Sequence, residues 1–142
     1  MNRIVVGVDG SKGSQLALDW AVNEARLRGA QLCVVHAWHA QYATGSLFAP
    51  APFDPEVFES TAQQILNEMV DAIDASDLAQ PIEKRLVQGG AATALLDAGK
   101  DADLLVVGAR GLGGFMELLV GSVSHQVTHH APCPVVVVPD RR

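Results

Sequence analysis

Neither common phosphate-loop signature is present: GxxxxGK[ST] occurs nowhere, and the first apolar run is not followed by GxGxxG. This excludes a Walker loop and the usual dinucleotide fingerprint. No basic run offsets the formal net charge of -6, so neither nucleic acid nor an anionic membrane surface is an expected partner. No apolar stretch approaches the roughly 18 residues a membrane span needs, and a soluble chain is expected. The opening residues Met1, Asn2, Arg3 and Ile4 lead straight into a strand pattern, without the apolar core and cleavage site of a secretory signal, which makes the cytoplasm the default location. The only cysteines, Cys33 and Cys133, show no CxxC spacing. They indicate neither a zinc site nor a redox pair and are expected to be buried thiols.

What is there is a globular composition, 49% apolar and 18% charged over 142 residues, the size of one domain spanning 1–142. Apolar runs at residues 4–8, 32–37, 82–87, 104–107 and 135–138 read as strands. The first, fourth and fifth are continuous and β-branched, as in strands covered on both faces. Between them, helical spacing places Leu16, Trp20 and Leu27, with Ala17, Ala21 and Ala25, on one inward face, stopped by Gly29. A second helix is expected over 55–75 with Val57, Ile65, Met69 and Ile73 inward, a third over 91–99 and a fourth over 122–130. Strict βαβ alternation implies an α/β domain with a doubly wound, mostly parallel sheet, helices on both faces and right-handed crossovers. Residues 39–54, with Pro50 and Pro52, form a long irregular segment that reads as a lid or a disordered loop.

The chemistry concentrates after two strands. Asp9, Gly10 and Ser11 follow the first, and Gly108, Arg110, Gly111 and then Gly121 and Ser122 follow the fourth. In an open parallel sheet, ligands lie beyond the carboxyl ends of the strands. Glycines let backbone amides approach a phosphate, and Gly121-Ser122 offers a helix N-terminus with free N–H groups and a hydroxyl. A glycine-rich turn is also often only a turn.

The spacing Gly108-x2-Gly111-x9-Gly121-Ser122 is similar to the nucleotide-binding signature of the universal stress protein family, G-x2-G-x9-G-[S/T]. Further resemblance lies in the opening Ile4-Val5-Val6-Gly7-Val8-Asp9-Gly10-Ser11, in Val34-Val35-His36-Ala37, and in the close from His129-His130-Ala131-Pro132 through Val138. The chain thus resembles a single-domain, ATP-binding member over nearly its whole length. The resemblance implies a five-stranded parallel sheet of order 3-2-1-4-5, the adenine nucleotide alpha hydrolase-like fold. It implies ATP with Mg²⁺ as the ligand, with Asp9 near the ribose and any phosphate-bridging metal, and the Ala37 backbone on adenine. Gly108 and Gly111 would line ribose and phosphates, and Gly121, Ser122 and Val123 would grip the terminal phosphates. It also implies a homodimer paired through Val135–Val138.

Several residues carry two readings. Arg110, the only cation of its loop, either meets a phosphate or is solvated. Asp9 either faces the pocket or caps the following helix. Ser124 reaches a phosphate or bonds its own backbone. His125 and His129 stand at i, i+4, a metal-sharing distance, yet no HExxH glutamate or third ligand accompanies them, and His129 and His130 more simply complement the helix's negative end. His36 reads as a satisfied core histidine. With no lysine or evident base to complete a hydrolytic site, a nucleotide-dependent stress-response regulator is preferred over a slow ATPase or a scaffold that binds no nucleotide.

Overall fold

The computed structural model describes residues 1–39, 54–109 and 122–140. Strands β1 (Arg3–Val8), β2 (Gln31–Trp38), β3 (Glu83–Gln88), β4 (Leu104–Gly108) and β5 (Val135–Val138) alternate with α1 (Lys12–Arg28), α2 (Pro55–Asp71), α3 (Ala91–Gly99) and α4 (Ser122–His130). The sheet is parallel throughout, in the order β3-β2-β1-β4-β5. From β1 the chain steps outward through β2 to β3, then returns to the other side of β1 for β4 and β5. The reversal falls between β1 and β4, where such folds open a crevice.

Strand alternation splits the core into two layers. Ile4, Val6, Val8, Leu32, Val34, Leu104 and Val106 meet Ala17, Leu18, Ala21, Val22 and Ala25 of α1 and Leu66 and Met69 of α2. On the other face Val5, Cys33, Val35, Leu105 and Val107 meet Ala94, Leu95 and Ala98 of α3 and Val127 of α4. Missing side chains let α3 lie low on this face. A Cβ on Gly7 would sit 2.8 Å from Leu95 Cδ1, and one on Gly99 would sit 2.8 Å from Leu105 Cδ1.

The amino end of the sheet is tied by charge. Asp103 Oδ2 accepts the Asn2 and Arg3 amides at 2.8 and 3.0 Å, linking the starts of β4 and β1. Those two bonds hold the Asp103 carboxyl below its ordinary range. Arg3 Nη1 then reaches across to Glu83 Oε1 at 2.8 Å, and Gln31 Oε1 lies 3.3 Å from the same nitrogen.

Four expectations need correction. Leu27 is 82% exposed and Val57 57% exposed. Leu27 follows Leu18 by about two and a half turns at 3.6 residues per turn, so it points away when Leu18 points in. Val57 lies in the first turn of α2, whose buried residues begin only at Ala62. β5 is only partly covered: Val135 packs against one layer and Val136 and Val138 against the other, but Val137, on this edge strand, is 39% exposed, while β2 has the more fully buried core. Finally, α2 ends at Asp71 rather than 75. There the Asp74 carboxylate accepts both the amide and hydroxyl of Ser76, at 3.1 and 2.7 Å, an alternative to continuing the helix.

Candidate functional site

The β1–α1 turn is held by its own side chains. Ser11 is the N-cap of α1, its hydroxyl accepting the Ser14 amide at 3.1 Å. The fully buried Ser14 hydroxyl donates to the Ser11 carbonyl at 3.0 Å and accepts the Asp9 amide at 3.2 Å. Asp9 Oδ1 accepts the Ser11 amide at 2.8 Å. The helix cap is therefore Ser11, and the Asp9 carboxylate stands in the turn ahead of it. Gly10, at φ +86°, lies in a region side-chain-bearing residues rarely adopt.

Strand register sets what stands beside this turn. Val8 pairs with His36, so Ala37, one residue on, falls level with Asp9. Val6 pairs with Val106, so Gly108, two residues on, falls level with Val8. Asp9, Ala37 and Gly108 thus stand at the carboxyl ends of three adjacent strands. The buried His36 ring supports this rim as expected of a satisfied core histidine, its Nδ1 lying 2.9 Å from the Val8 carbonyl oxygen.

α4 begins at Ser122, and the Val123 side chain packs against the second core layer, which leaves its backbone amide in the helix's first turn as the group a ligand could use. Arg110, Gly111, Gly121 and the Ser122 side chain lie outside the described residues. Among the described residues, no group of three or more His, Cys, Asp or Glu side chains is placed to hold a metal. No helix among them is long and apolar enough to cross a membrane.

Two features escape the sequence reading. The Ser11-x-x-Ser14 spacing is a legible cap signal, overshadowed by Asp9 and Gly10 beside it. Gly89 and Gly90 form a second glycine turn, after β3: Gly89, at φ +135°, donates its amide to the Trp38 carbonyl at 2.8 Å, and Gly90 is the N-cap of α3. An open depression of ≈ 530 Å³ beside Val70, Ile73, Leu78 and Pro81 lies at the opposite, amino end of the sheet, where the α2–β3 connection turns. Of the cysteines, Cys33 is buried as expected, with its thiol pushed up to about 11 chiefly by burial. Cys133 is only half-buried.

A family model, the universal stress protein family, matches residues 1–139. The chain belongs to this family. It is 34% identical over 143 residues to the universal stress protein Rv2623 of Mycobacterium tuberculosis, covering 96% of this chain and 47% of that protein, so it spans about half the length of that relative. With the universal stress protein YxiE of Bacillus subtilis it shares 32% identity over 145 residues, covering 96% of this chain and 98% of that one. Its fold is similar to that of a universal stress protein solved in complex with cAMP, at a TM-score of 0.73 and 30% identity, covering 99% and 98% of the two chains. The five-stranded order and the helices on both faces are those of the adenine nucleotide alpha hydrolase-like fold, as the resemblance implied.

Proposed function

We propose that the carboxyl end of this sheet binds ATP with Mg²⁺, and that occupancy makes the protein a nucleotide-dependent stress-response regulator or sensor. The observation that carries this reading is the alignment of Asp9, Ala37 and Gly108 at the β1/β4 reversal, beside a turn held in place by Ser11 and Ser14. The cAMP bound by the structurally similar family member supports an adenine nucleotide. In this reading the Ala37 backbone meets adenine and Gly108 lies along the ribose. The phosphates lie against Arg110, Gly111, Gly121, Ser122 and the Val123 amide, with α4 presenting its positive end.

The residues fit the metal. Asp9 Oδ1 is engaged by one amide, and a carboxylate has about four lone-pair sites, so capacity remains for a hard cation, which takes oxygen ligands. Bound there, Mg²⁺ would offset phosphate charge. The alternative, a slow ATPase, would need a further group to orient the attacking water. β5 supplies the second part of the proposal: an edge of four valines with Val137 exposed fits a symmetric partner strand, and a homodimer formed through Val135–Val138 closes that edge.

Calorimetric titration of nucleotide-stripped protein with Mg·ATP tests the reading. Saturable binding that Gly111→Lys abolishes is expected. No heat at millimolar ATP, where sites worth about 4 kcal/mol begin to fill, would leave a dimeric scaffold. Turnover of about 1 s⁻¹ or more would replace the sensor with an enzyme.

A further inference from the structure

We propose that His125 and His129 form a two-imidazole chelate for a first-row transition cation, Zn²⁺, Ni²⁺ or Cu²⁺, on the exposed side of α4. Sequence spacing alone makes a weak case. The structure adds that the two rings stand side by side, with centroids 4.2 Å apart and planes tilted by 55°, and that both residues are exposed. A metal bound about 2.0–2.1 Å from one nitrogen of each ring would set the centroids roughly 4.5–5 Å apart at tetrahedral or square-planar angles. The observed separation is close to that range, and rotation of the two exposed side chains would turn one nitrogen of each ring toward the shared ion. The i, i+4 pairing is also the one by which metal-binding helices present two histidines to one ion.

His130 does not join the pair. Its ring is 6.5 Å from that of His129, and adjacent helix positions point to different sides. With no third ligand among the described residues, water completes the coordination. Imidazole donors then select borderline cations, with Cu²⁺ tightest, and discriminate against Mg²⁺, which takes oxygen ligands. This separates the site chemically from Asp9. Two electrostatic features favour a cation there: His129 lies in the last turn of α4, at the negative end of the helix dipole, and the chain carries a net charge of -6. A chelate joining the middle of α4 to its last turn also resists fraying of the helix that Ser122 opens.

The test is a calorimetric titration of untagged, nucleotide-stripped protein with NiCl₂ in a non-coordinating buffer, repeated with ZnCl₂ and CuCl₂. One equivalent should bind saturably. His125→Ala or His129→Ala should each weaken binding by at least about tenfold, a loss that removing even an outer-shell partner can bring, while His130→Ala leaves it intact. Substoichiometric Cu²⁺ should selectively broaden the His125 and His129 ring signals in NMR spectra. Unchanged affinity in both single variants, broadening at other histidines instead, or full competition by MgCl₂ would overturn the proposal. No nucleotide enters these titrations, so failure here is distinct from failure of the nucleotide site.

Discussion

Adding one methyl group to Gly7 tests how tightly α3 is seated on the central strand. In Gly7→Ala the new carbon would stand 2.8, 3.0 and 3.3 Å from Cδ1, Cδ2 and Cγ of Leu95, where ordinary carbon contacts lie at about 3.5–4.0 Å. Leu95 is 1% exposed and shares its layer with Val5, Cys33, Val35, Leu105 and Val107, so it cannot turn aside without repacking them. Overpacking of this kind costs about 1–3 kcal/mol, and the restricted unfolded state of alanine offsets about 0.4–1 kcal/mol. A net loss of about 1–2 kcal/mol is expected. Leu95→Ala alone should cost about 2–5 kcal/mol through the cavity it leaves. In the double variant the added methyl no longer meets a leucine side chain and fills part of that cavity. The combined loss should therefore fall short of the sum by at least about 1 kcal/mol. Urea unfolding followed by circular dichroism, with a common slope across the four proteins, measures the cycle. Additivity within about 0.5 kcal/mol would show that the two groups do not compete for space and would refute the close-approach argument.

Three further outcomes follow from particular bonds. Asp103 has a folded pKa lowered by the Asn2 and Arg3 amides. Its contribution is present above the ordinary value of 3.8 and lost as pH falls through the lower folded value. Asp103→Asn should therefore be less stable than the parent near neutrality, with the gap closing in acid; a gap independent of pH would contradict this. Ser11→Ala removes the α1 cap and one support of the Asp9 turn, for about 1 kcal/mol of stability in the same urea assay, and should also weaken Mg·ATP binding. Val137→Lys sets like charges on the proposed β5 pairing edge and should shift the protein to a monomer in analytical ultracentrifugation. A dimer that persists with unchanged affinity would place the interface elsewhere.

The strands were legible to within about a residue because a buried parallel strand is a short apolar run bounded by polar or glycine residues, and that local pattern suffices. What the pattern does not encode is a strand's neighbours. The run 135–138 is as β-branched as 4–8, yet one is an edge and the other lies at the centre. The order came from the family resemblance rather than from periodicity. The inward face of α1 departs from the pattern of its large apolar residues for a related reason. Leu27 points outward and Trp20 packs only partly buried, against a layer whose buried members are Leu18 and Val22 with Ala17, Ala21 and Ala25, small side chains that let the helix approach the sheet. At the rim, Asp9, Ala37 and Gly108 were legible as a motif, but their meeting at the carboxyl ends of adjacent strands depends on register between strands far apart in sequence. The turn's internal bonds depend on hydroxyl directions that sequence does not give.

The two ends of the sheet solve opposite problems with the same residue types. At the amino end, Asp103 accepts the Asn2 and Arg3 amides and Arg3 Nη1 meets Gln31 and Glu83, bonds that tie three strands to β4's approach. At the carboxyl end of β1, bonds inside the turn fix its shape: Asp9 accepts from Ser11 and Ser11 from Ser14, while His36 of β2 faces the Val8 carbonyl. The turn can then hold its shape without drawing on a ligand, so binding need not supply the free energy of ordering it. Hydrogen bonds that hold Asp9 in position therefore contribute to the proposed function by pre-organising the turn. Ser11→Ala is accordingly expected to lower both stability and affinity, whereas Asp103→Asn, at the far end of the same sheet, is expected to lower stability alone.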